Sequence, residues 1–485
     1  MDLKAFNEIE NKYNLLSANV EGYYFWIYLR KSISWCYAQS KNQFKNVKGE
    51  NSVSHSAIWK KWVKKIDNIL LKGCIPREQT DVLIMNHPRR VLVDGFYECI
   101  YTDELFSKLQ SAVVLEEPYQ NIHYKPIKTS NIVYTDILDL YSFCYCSIQR
   151  YLFSKKYQKN KEKMLYIIQE PIEELNKAYG VNILPQQFEN DLMFGLCMYK
   201  MERAYYKRVI SRLHPKVILE VVSYNRKCMV VNEIADEMGI PTIELQHGTM
   251  GEEHTAYNYP ENWQVKQFPK YLFLFSEYWK YKSSFPIRAE NRIVVGFPYL
   301  ERMKKKFTNS RENKDHKNIL FLSSGPIGYR LVKIAIELQK ILDTENYHII
   351  YKLHPGEYET WRERYPELPR TTIKVIDNNK TNLYELFSIS DIQVSGFGST
   401  AVFEGLSFSL KTYVLNYCAS KELSELCISG NAVFFDTAED LAKKIIGHEN
   451  TVNVRSKEFW AENSIQNMLN KLDGIIDREK RPDFG

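Results

Sequence analysis

A chain of 485 residues exceeds what one ordinary hydrophobic core serves, so two domains are expected. With 44% hydrophobic and 26% charged residues it is not a disordered chain, and a net charge of only +6 without a continuous basic stripe argues against a nucleic-acid backbone as the partner. Nine cysteines, an odd number with no Cys-x-x-Cys pair, argue against a disulfide framework or a zinc knuckle and for a reducing cytoplasm.

The opening "MDLKAFNEIENKYN" has no apolar signal core, and no apolar run approaches the roughly 20 residues a membrane span requires. A cytoplasmic protein is expected, with at most peripheral contact at the inner face of a membrane. Residues 1–75 read as a helical N-terminal segment. Within it, "GYYFWIYLRKSISWCY" (22–37) mixes aromatic and basic residues in a way that suits lipid headgroups or, equally, packing on a neighbouring domain.

Residues 76–300 read as a first α/β domain. "DVLIMN", "RRVLVDG" and "AVVLEEP" are short β-type runs, and a helical insertion follows over 135–213. "KVILEVVSYN", the helix "KCMVVNEIADEMG" and "PTIELQHG" then make strand, helix and strand, with "KYLFLFS" and "RIVVGFP" as further strands. The charge-dense stretch 301–318 is expected to be a linker. Residues 319–485 restart the alternation: "NILFLSSGPIGYRLVKIAIEL", "YHIIYKLHPGE", "IKVIDN", "DIQVSGFGSTAVFEGLSF" and "KTYVLNY", closed by a terminal helix. Such alternation predicts two Rossmann-like, doubly wound α/β domains with a helical N-terminal extension.

Ligands of doubly wound sheets sit at the carboxyl ends of the strands, and four segments fall there. "ELQHGTMGEEH" (244–254) ends a strand in the first half. Metal ligation would want two histidines on one helical face, whereas His247 and His254 are seven apart across a loop, and Glu252 and Glu253 point apart. The favoured reading has Gly248 permitting the turn and His247 facing the cleft as a general base, for which an ordinary imidazole pKa is suited. His-Pro occurs three times. His87-Pro88 and His214-Pro215 read as turn punctuation, while His354-Pro355 follows a strand of the second half and leads into Gly-Glu. There the imidazole is aimed beside a helix start that favours anions.

The segment "SGFGSTAVFEG" (395–405) offers the hydroxyls of Ser395, Ser399 and Thr400, with Gly396 and Gly398 for close backbone approach and Glu404 one turn into the next helix. It fits neither a P-loop nor G-x-G-x-x-G. Ser323, Ser324 and Gly325 form the matching loop after the half's first strand.

Together, His-Gly-Thr at one strand end with "KLHPGE" and "SGFGSTAVFEGL" in the second half resembles the GT-B class of glycosyltransferases, notably those building bacterial capsule, lipopolysaccharide and O-antigen. The motif order also resembles teichoic-acid-type CDP-polyol phosphotransferases and the CMP-sugar (sialyl and Kdo) transferases. The resemblance spans residues 80–470 in architecture but about thirty residues in motif, and "SGFGST" stands where teichoic-type enzymes show Asp-Tyr-Ser-Ser. It implies His354 and the hydroxyls of Ser395, Ser399 and Thr400 on the donor's phosphate and Glu404 on its ribose. Gly398 and the loop of Ser323, Ser324 and Gly325, placed beside them by strand-end position alone, could embrace the same nucleotide or, for that loop, equally form an ordinary strand–helix turn. The resemblance further implies His247 as the catalytic residue facing the acceptor or leaving group, with Gly248, Thr249 and Glu252 on that acceptor side. The paired-acid-Gly signature of the sialyltransferases is absent, so Asp94 before Gly95 is a second base candidate or a plain turn residue.

The implied substrates are a CMP- or UDP-linked nucleotide sugar and an oligosaccharide or lipid-linked glycan. No Asp-x-Asp motif stands at a fitting strand end, so transfer without a metal ion or other cofactor is expected. The alternatives are a polyol-phosphate transferase, a nucleotide-sugar 2-epimerase and a non-catalytic glycan-binding protein.

Overall fold

A computed structural model describes residues 3–40, 66–70, 72–119, 121–261, 263–307, 315–325, 327–396, 398–417, 421–447 and 456–479. The apolar runs become strands, the central ones buried on both faces, as parallel sheets covered by helices require. The first sheet contains Val82–Met85 (β1), Ala112–Glu116 (β4), Ile132–Tyr134 (β5), Val217–Val221 (β6), Thr242–Leu245 (β7), Tyr271–Leu274 (β8) and Arg292–Val294 (β9). Between its first two strands, Val91–Val93 (β2) and Phe96–Glu98 (β3) form a separate antiparallel hairpin. The second sheet contains Lys317–Leu322 (β10), Tyr347–Lys352 (β11), Lys374–Ile376 (β12), Ile392–Ser395 (β13), Lys411–Leu415 (β14) and Val433–Phe435 (β15).

Strand order fixes where a ligand belongs. The first sheet runs β5-β4-β1-β6-β7-β8-β9 and the second β12-β11-β10-β13-β14-β15, with every pairing parallel. Each sheet therefore winds outward in both directions from its first strand, which is the Rossmann-like order expected above. The direction reverses between β1 and β6 in one sheet and between β10 and β13 in the other. Loops leaving those strands diverge and open a crevice.

The N-terminal segment is part of the first half rather than an appendage. Helix Phe25–Ser40 buries Phe25, Trp26, Ile33 and Tyr37 in the core of that half, and the fully buried Arg30 pairs with Glu10 at 2.9 Å. Arg30 also donates to the carbonyls of Thr255 and Asn258, which ties the segment to the loop after β7. The aromatic residues expected at lipid headgroups are thus mostly interior, with Trp35 an exception.

Two further expectations need correction. Much of the expected linker 301–318 is structured: Pro298–Lys306 is a helix that buries Tyr299, Leu300 and Met303, and β10 already begins at Lys317, while 308–314 lie outside the described residues. Proline at its start and three lysines in its last turn favour that helix despite its polarity. The terminal helix Ser464–Glu479 also leaves the second half, and its Met468, Leu472 and Ile475 pack beneath the first sheet. Gly296 makes the crossing feasible: it has φ +95°, and a Cβ there would stand 2.3 Å from Ser464 Oγ. Among the described residues no helix is long and apolar enough to cross a membrane.

Candidate active site

The loop after β7 carries His247 into a cluster of rings. Tyr224 Oη lies 3.1 Å from His247 Nε2, and on the other side Nδ1 lies 3.4 Å from Glu244 Oε1 and 3.5 Å from Tyr257 Oη. Tyr257 donates to Glu244 at 2.6 Å, and Tyr101 donates to the His247 carbonyl at 2.9 Å. Glu244 is fully buried, so one carboxylate orients both the imidazole and the phenol that frames it. Its register neighbour on β6, Glu220, is also fully buried. Burial pushes the Glu220 carboxyl well above the usual range, an Asn232 hydrogen bond opposes this, and Glu244 adds to it.

Two more imidazoles share this lip. Burial first, then His247, lowers His87 to about 4, and burial first, then Lys31 and His247, lowers His254 to about 3. Both are neutral at physiological pH. Among the described residues, no group of three or more His, Cys, Asp and Glu side chains is placed to hold a metal ion. His254 packs instead against the Tyr257 ring, with centroids 4.8 Å apart.

The loop after β1 is fixed by Arg90, which is buried and paired with Glu116 at 2.6 Å and Asp103 at 2.7 Å. His87 and the exposed Arg89 precede it at the β1–β6 crossing point. A cavity of about 120 Å³ opens there, lined among others by Asn86, His87, Val222, Asn225 and Lys227. Val222 has φ +62°, an unusual backbone for a β-branched residue. His214, by contrast, merely closes helix Glu189–Leu213 in a left-handed turn.

Across the cleft, His354 stands at the end of β11. Its Nδ1 accepts from the Gly356 N–H at 3.2 Å, and the Glu357 carboxylate accepts from its own N–H at 2.9 Å, a reciprocal cap that fixes the ring. Desolvation lowers the His354 pKa, with Glu357 opposing and Arg89 and Lys352 contributing. Lys352 is lowered to about 8, first by burial and then by Arg89, against the pull of Asp377. Arg89 of one half thus acts on Lys352 and His354 of the other. Three cationic or protonatable groups converge there, an arrangement suited to an anion.

Helix Thr400–Ser407 completes this side. The Ser399 hydroxyl accepts from the Ala401 N–H at 3.3 Å, so it serves first as helix cap. Thr400 faces the other half, for a Cβ built on Gly248 would lie 3.5 Å from its Oγ1. Burial raises Glu404 to about 7, with a Tyr384 hydrogen bond opposing, and Glu404 acts in turn on Tyr101, the donor to His247. Ser323 accepts from Tyr351 at 3.3 Å, the Ser324 carbonyl caps the Ile327 N–H, and the Gly325 carbonyl accepts from Arg364. Ser395 is buried at the end of β13, and Gly398 stands one residue before the capping Ser399.

Several assignments change in detail. Gly248 has no left-handed backbone, and a Cβ there would make only ordinary contact, so the turn does not require glycine. At Gly396 a Cβ would meet Ile327 Cδ1 at 2.8 Å and Leu415 Cβ at 2.9 Å, so packing rather than ligand approach demands glycine. Asp94 is exposed in the β2–β3 turn and pairs with Lys306 at 2.5 Å; none of its contacts belongs to the cluster. Glu252 pairs with Lys421, a strut between the halves, and Thr249 is half-buried beside it without a described bond.

No family model matches the chain, and no curated protein sequence does either. Solved structures similar to it include the UDP-GlcNAc 2-epimerase of Neisseria meningitidis bound to UDP-GlcNAc, 12% identical over 81% of this chain and 99% of that one, with a TM-score of 0.46. The wall teichoic acid polymerase TagF is 11% identical over 88% of this chain and 99% of that one, with a TM-score of 0.45. A glycosyltransferase of Rickettsia africae is 16% identical over 58% and 80%, with a TM-score of 0.34. At these scores the likenesses carry none of the functional reading, which rests on the cleft itself.

Proposed function

We propose that this protein is a GT-B-type glycosyltransferase that moves a sugar from a nucleotide donor to an acceptor of a bacterial surface glycan. The observation that carries the reading is the meeting of two unlike strand-end loops. Gly248, next to the His247 ring that Glu244 holds, lies against Thr400, where an added Cβ would stand 3.5 Å from Oγ1, while Arg89 of the first half acts electrostatically on Lys352 and His354 of the second.

In this reading the donor's phosphates lie against Lys352, His354 and the free N–H groups of the Thr400 helix. As the sugar–phosphate bond breaks, negative charge grows on the departing phosphate, and these fixed donors stabilise it where it appears. His247 takes the proton of the attacking acceptor hydroxyl. Glu244 beside Nδ1 holds the ring and stabilises the imidazolium that forms, while Nε2 faces Tyr224 and the cleft. Glu404, one turn into the Thr400 helix, would accept from the donor's ribose hydroxyls. Closure of the halves excludes water, which would otherwise hydrolyse the donor.

The test is release of nucleotide from CMP- and UDP-sugars with and without a glycan acceptor. Acceptor-dependent release supports transfer. Conversion of the sugar without acceptor would instead favour an epimerase, release of CMP from CDP-glycerol or CDP-ribitol would favour a polyol-phosphate transferase, and turnover of no donor would leave a binding protein.

A further inference from the structure

Helix Asp136–Leu152 turns apolar residues outward. Tyr141, Ile148, Tyr151 and Leu152 are 57%, 46%, 77% and 75% exposed, and their spacing repeats the helical turn, so they form one solvent-facing stripe. Phe153, 51% exposed, continues it at the junction with helix Ser154–Tyr179. An outward stripe of this size is unusual where nothing covers it.

Charge accompanies the stripe. Residues 146–163, "CSIQRYLFSKKYQKNKEK", contain Arg150 and five lysines against the single acid Glu162, a net +5 within a chain whose total is +6. The rest of the molecule is therefore close to neutral. Lys156 pairs with Glu21 and Lys161 with Glu189, whereas Lys155, Lys159 and Lys163 form no ion pair among the described residues and are exposed.

We infer that this knob docks the first half onto an anionic lipid bilayer, with Tyr151, Leu152 and Phe153 entering the headgroup boundary and Lys155, Lys159 and Lys163 lying over lipid phosphates. Apolar insertion and basic attraction are separately weak and act together at such interfaces, where each cation near an anionic surface strengthens partition about fivefold. A protein partner would need matching acids around an apolar pocket, whereas an anionic bilayer supplies both features over any area. The inference does not depend on the transfer reaction, and it moves membrane contact from residues 22–37, whose aromatic residues are mostly interior, to 141–163.

Co-sedimentation with phosphatidylglycerol–phosphatidylcholine vesicles tests it with the full chain. Wild type should bind these vesicles, bind pure phosphatidylcholine at least about tenfold more weakly, and lose affinity as salt rises. Two triple variants, Y151S/L152S/F153S and K155E/K159E/K163E, should each lose about tenfold or more while keeping the wild-type circular dichroism and Tm. If the apolar triple fails to fold, Leu152→Glu alone serves. Equal binding by wild type and both variants, or no binding by wild type, overturns the inference. So does a wild-type dimer in solution that the apolar triple dissociates while vesicle binding is unchanged.

Discussion

The two lips of the cleft are built from the same topology with opposite chemistry. In the first half, the loops after β1, β6 and β7 present imidazoles and phenols: His87, Tyr224, His247, His254 and Tyr257. Their order comes from ring packing and from the buried Glu244. In the second half, the ends of β10, β11 and β13 and the loops after them present hydroxyls, a helix start, Lys352 and the His354 imidazole, ordered by the reciprocal His354–Glu357 cap and by Ser399 capping the Thr400 helix. One lip is suited to moving a proton and the other to holding negative charge. Division of labour between the sheets is the lesson: the substitutions that follow strike one lip or the bridge between them, and Asp94→Asn lies outside both.

The largest effects belong to the proton-handling lip. His247→Ala should cut kcat by roughly 10²–10⁴-fold with little change in nucleotide affinity, measured by steady-state kinetics. Glu244→Gln should follow it at on the order of 10²-fold. The double variant should fall no further than His247→Ala, because the carboxylate acts through that ring. On the other lip, His354→Ala should also lower kcat, by roughly 10²–10³-fold, and additionally weaken nucleotide binding. Arg89→Ala, reaching across from the first half, should weaken nucleotide binding about tenfold and flatten its dependence on salt, as read by calorimetry.

A smaller effect concerns pH. Glu404 has its carboxyl raised from 4.5 to about 7, so between those values the folded protein binds more protons than the unfolded chain. Stability at this site is therefore highest in acid and falls as pH rises through that window. Glu404→Gln should remove the fall, raising stability at pH 8 by on the order of 2 kcal/mol with no gain at pH 4, in urea titrations at the two pH values. The smallest effect is Asp94→Asn, which should leave kcat and Tm unchanged. A loss of activity there would move the base away from His247.

Much of this was legible in the sequence, because buried parallel strands announce themselves as short apolar runs and the glycine- and serine-bearing loops follow them. β3, β5 and β15 escaped because they are short runs with little pattern around them, whereas the equally short β2, β9 and β12 lie in clearer apolar runs. Helix Pro298–Lys306 escaped because its buried face is only Pro298, Tyr299, Leu300 and Met303 among charges. That His247, His354 and Thr400 each follow the end of a strand was readable from the sequence. Arg89 and Lys352 were not singled out, although they flank His-Pro steps at the ends of β1 and β11. The signal was the parallel between "MNHPR" and "KLHPG", one for each sheet. Glu244 was missed as a partner of His247 because only the end of the strand, where the chain turns back, brings residues three apart to one spot. Asp94 failed as a base because its Asp-Gly spelling is shared by functional loops and by plain hairpin turns.

The central claim is that an anionic nucleotide tail is held on the second lip opposite His247. Thermal-shift titration of wild type, His354→Ala and Lys352→Met against CMP, CDP, UDP, GDP and their sugars tests it most directly. One nucleotide class should raise the wild-type Tm in a saturable way, and both variants should lose most of that shift. A shift of undiminished size in both variants, or none with any nucleotide, would contradict it.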